Sequence, residues 1–210
     1  MGKIPGSEHP HVNLADQSAH TAEEYLEIER KAEFKSEFYR GEMFAMSGGS
    51  RKHNRIPFRL AALIGEHIEQ KGSEGYTADM RVLVEDSGLY TYPDLSVGRG
   101  APKFADAQMD TLINPTLLVE VLSPSTEEYD RGTKVKLYRA IASLRECLLI
   151  SQDAPEVELY RREMDDVWKL IVAKGPNASV ELKSIDYTLR LWDLYRGVLA
   201  EPATSSEGNQ

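Results

Sequence analysis

The apolar positions of the chain change their period several times, and each change marks an element. Tyr25, Leu26 and Ile28 stand among charges after Thr21-Ala22-Glu23-Glu24, which has capping-box spacing, so a short helix is predicted from there through Ala32. Phe34 to Ser47 reads as two strands around Arg40-Gly41. From Arg51 to Lys71 the residues Ile56, Leu60, Leu63, Ile64 and Ile68 recur at helical spacing, and Gly72 is a natural stop. Tyr76 to Glu85 alternates Met80, Val82 and Val84 against Asp79, Arg81 and Leu83. Asp86-Ser87-Gly88 then supplies a turn, and Leu89 to Val97 completes a hairpin. Thr116 to Leu122 is apolar on both faces apart from Glu120, as a central strand covered on both sides requires. A helix from about Thr126 to Ala142 follows, and Leu148 to Gln152, Val157 to Arg161, Val167 to Val172 and Leu189 to Trp192 read as short strands. Mixed strands with helices before and after them predict an α/β sandwich around a central mixed sheet.

Composition bounds this picture. A chain of 210 residues with 41% hydrophobic content fits one domain, placed at 20–200, between polar ends at 1–19 and 201–210 that read as flexible tails. His9 and His11 fall in the first tail, where their spacing is poor evidence for a metal site. No charged start leads into an apolar segment and no apolar run reaches the roughly 20 residues that span a bilayer, so a soluble, cytoplasmic protein with no membrane partner is expected. The lone Cys147, inside an apolar run, reads as a small buried hydrophobe in a reducing compartment. A net charge of -9 argues against whole-surface attraction to nucleic acid and confines any such role to a local site.

The chemistry concentrates in two segments. Asp94, in Tyr92-Pro93-Asp94, and Glu120, in the strand Thr116 to Leu122, place carboxylates in buried-strand context, and a buried carboxylate needs an ion pair, hydrogen bonds or a metal. Glu120 shares its strand face with Leu118 and Leu122. On the following helix Asp130, Lys134, Leu137, Tyr138 and Ile141 form one stripe, which puts Lys134 on the packed face, where an unpaired lysine is uncommon. Two carboxylates for a hard divalent cation and one ammonium are the equipment of metal-dependent phosphodiester cleavage. The metal lowers the pKa of a bound water, and the lysine orients or deprotonates that water.

Tyr92-Pro93-Asp94, then Val119-Glu120-Val121-Leu122-Ser123-Pro124-Ser125, then Asp130-Arg131-Gly132-Thr133-Lys134 with Tyr138, resemble the Uma-type family of inferred endonucleases, over about Thr21 to Arg161. Glu37, Gly41-Glu42, Met46-Ser47-Gly48 and His53-Asn54 extend the match. The resemblance implies a restriction-endonuclease-like fold with a PD-(D/E)XK core. Its catalytic set would be Asp94, Glu120, Lys134 and Glu37, with Asp94 and Glu120 holding Mg2+ or Mn2+. Leu122 stands where the usual lysine would be, and Lys134 on the next helix takes its place. It further implies a homodimer acting on nucleic acid, DNA ahead of RNA.

Each residue also has a plainer reading. Asp94 is then a strand-end aspartate, Glu120 half of a buried ion pair, Lys134 an i, i+4 partner of Asp130, and Glu37 a solvated strand residue. Asp79 is a weaker candidate. His53 reads as a helix-capping residue rather than a catalyst, although Arg51, Lys52, His53 and Arg55 form a basic cluster able to meet phosphates. Ser123-Pro124-Ser125-Thr126 lacks the turn of a serine nucleophile and is expected to cap the helix carrying Lys134. The rival functions are a catalytically silent member that binds nucleic acid or a protein, and a structural protein with these residues as a buried ionic network.

Overall fold

The computed structural model describes residues 19–199, so all but Ala19 of the two expected tails, including His9 and His11, lies outside the described residues. Helix α1 (Ala22–Glu29) is closed by the expected capping box. Thr21 Oγ1 accepts from Glu24 N at 3.2 Å, and Glu24 Oε2 accepts from Thr21 N at 2.8 Å. Strands β1 (Ser36–Tyr39) and β2 (Glu42–Ala45) turn at Arg40 and Gly41, both with positive φ, which suits the right-handed twist of a two-residue hairpin. Helix α2 (Arg51–Gln70) buries Ile56, Leu60, Ile64 and Ile68, one predicted stripe.

The predicted hairpin forms, but each arm breaks in the middle. Its first arm is β3 (Ser73–Thr77) and β4 (Arg81–Val84), its second β5 (Leu89–Thr91) and β6 (Leu95–Arg99). Near the turn β4 pairs with β5, and farther out β3 pairs with β6, all antiparallel. The two halves serve different sheets. Pro93, which has no N–H to give a ladder, lies at the break in the second arm.

The chain continues through β7 (Thr111–Leu112), β8 (Pro115–Leu122), α3 (Glu127–Tyr129), a π-helical turn (Asp130–Lys134), α4 (Val135–Tyr138), β9 (Glu146–Ser151), β10 (Glu156–Arg162), β11 (Trp168–Lys174), β12 (Ser179–Leu182), β13 (Tyr187–Arg190) and α5 (Leu191–Tyr195). The large sheet has the order β11-β10-β9-β8-β6-β3, with only β8 and β9 parallel among these neighbours. The small sheet has the order β2-β1-β5-β4-β7, and β12 pairs with β13.

Strand β8 is buried along its whole length. Leu117, Val119 and Val121 pack with the α2 stripe, whereas Leu118 and Leu122 pack with Val82, Val84, Tyr138 and Cys147 between the sheets. Cys147 is a buried free cysteine. The large sheet is thus covered by α2 on one face and by the small sheet and α4 on the other. Two expectations are corrected here. The helix over Thr126 to Ala142 ends at Tyr138 and is interrupted by the π-helical turn, and Leu191 and Trp192 open α5 instead of ending a strand.

Candidate active site

The bend at Pro93 and the π-helical turn both point toward one cleft. Tyr92, before Pro93, donates to Glu29 Oε1 at 2.8 Å and accepts from Arg81 Nη1 at 3.2 Å, which anchors the bend between the sheets to α1 and β4. Asp94 follows that bend, and its Oδ2 accepts from Val121 N at 2.7 Å. It therefore lies beside β8 next to Glu120. Glu120 is only 5% exposed, and its Oε1 accepts from Tyr138 Oη at 2.5 Å.

Lys134 comes from the π-helical turn, a conformation that inserts an extra residue into a helix and recurs at functional sites. Its Nζ lies 3.1 Å from Glu120 Oε1, 2.9 Å from Glu37 Oε1 and 3.8 Å from Asp130 Oδ1. Glu37, on β1, also accepts a hydrogen bond from Thr91 Oγ1. At the opposite wall, His53 Nε2 is 3.7 Å from Asp94 Oδ2. These side chains line a cleft of about 340 Å³, rimmed by Met46 to Ser50, Ser123 to Thr126, Tyr129 and Gln152.

Three carboxylates, Glu37, Glu120 and Asp130, thus lie within 3.8 Å of the Lys134 ammonium, with Asp94 beside them on the cleft wall, and the charge balance is unequal. Burial raises the pKa of Asp94 against the pull of His53, and raises that of Asp130 against Lys134. Burial likewise lifts Glu120 well above the ordinary carboxylate range, because Lys134 compensates only part of the desolvation and Asp130 and Asp94 repel. For Lys134 burial acts downward, but Glu120 and Glu37 outweigh it, and the group stays an ammonium well past its ordinary pKa. A site in which carboxylates hold protons more tightly than in water is short of positive charge.

Whether a metal suits that shortage depends on the donors. Among the described residues no group of three His, Cys, Asp or Glu side chains is arranged to hold an ion unaided. Magnesium needs no such cage, since it takes one or two carboxylates and completes its octahedron with waters and phosphate oxygens. Asp94 and Glu120 offer oxygen donors alone, the set that favours magnesium or manganese over zinc. The protein bonds named above use one oxygen of each carboxylate, and a carboxylate has acceptor capacity at both.

All four residues singled out in the sequence, Asp94, Glu120, Lys134 and Glu37, line this cleft. Asp79 does not, since it pairs with Lys35 Nζ at 2.8 Å on the surface. His53 is corrected in part. Its backbone N–H donates to Ser50 Oγ at 3.1 Å, so Ser50 is the cap and the imidazole is left to line the cleft. The capping expected of Ser123 to Thr126 is also replaced, because Ser123 Oγ bonds the hydroxyls of Ser125 and Thr126 and no side chain caps α3. Asp130, Tyr138 and Gln152 join the surroundings of the site from the structure. Asp130 and Tyr138 share the stripe of Lys134, which is the signal that points to them. Gln152, whose Oε1 accepts from Ser50 Oγ at 2.6 Å, has none.

Comparison with known proteins bears on the family and the fold. Residues 22–191 match the family model Uma2, described as "Putative restriction endonuclease". Uncharacterized protein sll1609 of Synechocystis sp. is 40% identical over 161 residues, 77% of this chain and 91% of that protein. Uncharacterized protein slr1290 of the same organism is 38% identical over 176 residues, 84% of this chain and 91% of that one. A crystal structure described as a "putative nuclease belonging to DUF820" from Anabaena variabilis superposes with a TM-score of 0.72 at 22% identity, covering 86% of this chain and 99% of that one, and shows the shared fold. With its mixed α/β restriction-endonuclease-like architecture and a family match across most of its length, the chain belongs to the Uma2 family.

Proposed function

We propose that this protein is an endonuclease that hydrolyses phosphodiester bonds, with DNA as its substrate and magnesium, or manganese, held by Asp94 and Glu120. The observation that carries the reading is the reach of Lys134. Although it comes from a helix rather than from the strand position occupied by Leu122, its Nζ lies 3.1 Å from Glu120 Oε1. A bound divalent ion would acidify a water and offset charge on the scissile phosphate.

The chain's own residues have separable tasks. Asp94 is oriented by its bond from Val121 N, and Glu120 by Tyr138 Oη and Lys134. Lys134, kept as an ammonium by Glu120 and Glu37 despite its burial, is suited to donate a hydrogen bond to the attacking oxygen or the phosphate, not to accept a proton. Glu37, 2.9 Å from that ammonium, aims it. His53 stands at the edge of the cleft as a partner of Asp94.

The test is cleavage of supercoiled plasmid and of single strands with magnesium or manganese, comparing wild type with Asp94→Ala and Glu120→Ala purified identically. Metal-dependent product lost in both variants supports the reading, and equal cleavage by all three proteins ends it. A second reading is a catalytically silent member that binds nucleic acid through the cleft. It is favoured by the closed set of bonds from Lys134 to Glu37 and Glu120, and its mark is DNA binding insensitive to magnesium with no product.

A further inference from the structure

Outside the cleft, one face of α2 carries charge opposite to that of the chain. In a protein of net charge -9, Arg51, Arg55 and Arg59 recur at i, i+4 and i+8 along α2. Among the described residues their guanidiniums meet backbone carbonyls and a ring rather than carboxylates. Arg51 Nη2 lies 3.4 Å from the Gly197 carbonyl, Arg59 Nη2 donates to the Asp193 carbonyl at 2.8 Å, and Arg55 lies 5.8 Å from the Phe58 ring centre. The nearby acids are occupied, Asp153 by Lys52 at 2.9 Å and Asp193 by Arg190 at 2.7 Å. Like charges four residues apart on a helix repel one another. A negatively charged ligand relieves the repulsion between these arginines.

Two aromatic side chains accompany the arginines. Phe58 is 65% exposed and Trp192, on α5, is 59% exposed. They precede Arg59 and Asp193, the residues joined by the 2.8 Å hydrogen bond, so both flank the seam of α2 and α5. This seam leads away from the cleft. Ser50 and His53, at the start of α2, line the cleft, and a rise of 1.5 Å per residue puts Arg59 about 12 Å farther along the axis than Arg51.

We infer that the seam of α2 and α5 is a binding track for a single-stranded polynucleotide, with Arg51, Arg55 and Arg59 meeting successive phosphates and Phe58 and Trp192 stacking on unpaired bases. The inference rests on the nuclease reading only in taking a polynucleotide as the partner. Guanidiniums suit phosphate by geometry as well as charge, and exposed rings beside a basic row are the equipment of sequence-tolerant strand binding.

The test is fluorescence anisotropy of a labelled oligothymidylate in EDTA over a salt series, in wild type, in the triple variant R51Q/R55Q/R59Q and in Trp192→Ala. Each lost phosphate contact lowers the slope of log affinity against log salt by about 0.7 for a single strand, so the triple variant is expected to lose about 2. Trp192→Ala is expected to bind about 5- to 140-fold more weakly with its salt slope unchanged. Should the triple variant fail to fold, Arg55→Gln, which removes no bond to the backbone, carries the same test with a slope loss of about 0.7. Wild-type affinity and slope in the arginine variants overturn the track. A change of oligomeric state in Trp192→Ala with unchanged affinity also overturns it and makes the patch a contact between copies of the chain. The plasmid assay separates this outcome from failure of the nuclease reading, since cleavage is lost through Asp94 and Glu120 whether or not the arginine track binds.

Discussion

Replacing Glu120 by Gln separates a site that waits for a cation from an ionic network built for stability. The amide keeps the volume of the carboxylate and an oxygen at hydrogen-bonding distance from Tyr138 Oη and Lys134 Nζ. Lys134 is not stranded by the change, because Glu37 remains at 2.9 Å and Asp130 at 3.8 Å. What is lost is one buried negative charge, repelled by Asp130 and Asp94. Burial raises the pKa of Glu120, so the folded state binds this proton more tightly than the unfolded chain does. Stability of the metal-free protein therefore falls as pH rises from the unfolded value near 4.3 toward the higher folded value. Replacing a whole buried ion pair by neutral groups gains about 1–4 kcal/mol in favourable cases, and removing one partner is costly only where it strands the other, which Glu37 prevents here. We expect the lower end, about 1 kcal/mol at pH 8, or about 2–4 °C in Tm for a domain of this size. Magnesium should act in the opposite sense. At ten times its Kd it adds about 1.4 kcal/mol to the wild type by linkage, and almost nothing to the variant. The assay is thermal unfolding at pH 5 and pH 8, with and without magnesium. A variant destabilised at pH 8 without metal, or one that gains as much from magnesium as the wild type, would refute the reasoning.

Three further outcomes follow from the same structure. Lys134→Met removes the ammonium from between Glu37 and Glu120 and leaves uncompensated carboxylates, so a loss of about 3–5 kcal/mol is expected in metal-free denaturant unfolding at pH 8; a loss under 1 kcal/mol would mean that the carboxylates do not depend on it. Asp110 is held well below the ordinary aspartate pKa, first by its hydrogen bonds from Arg30 and then by Thr111 and Arg81. Its contribution is present above the unfolded value near 3.9 and is lost as pH falls through the lower folded value, so Asp110→Asn should cost about 1 kcal/mol at pH 7, discounted for its partial exposure, and this difference should narrow progressively below pH 3.9. Leu60→Ala, on the fully buried stripe of α2, should cost about 2–5 kcal/mol in the same unfolding assay and leave the magnesium-induced shift of Tm intact, because Leu60 packs on the core side of the helix away from the cleft.

Local pattern was sufficient wherever a residue's partners lie close in sequence. The capping box at Thr21, the Arg40-Gly41 turn and the Ile56–Ile68 stripe depend on spacings of two to four residues, and all three form as read. Glu120 was legible for a related reason, since one charge in an otherwise apolar central strand marks its own cost. Lys134 stood out because a helical stripe reports what its face packs against. The capping expected of His53 falls to Ser50 instead, because which way an imidazole turns from the first turn of a helix depends on its tertiary partners, and Asp94 lies 41 positions away.

The sequence by itself determined α1, the turn between β1 and β2, α2 and the central strand β8, together with the burial of Glu120 and the packed position of Lys134, because periodicity and the desolvation of charge act residue by residue. Tertiary structure alone decided that the hairpin arms bend between two sheets at Ala78–Met80 and at Tyr92–Asp94, that the helix opens into a π-helical turn at Asp130–Lys134, and that Glu37 meets an ammonium 97 positions away at 2.9 Å. Those choices depend on which strand finds which neighbour, and pairing energy between distant segments leaves no periodic trace in either one.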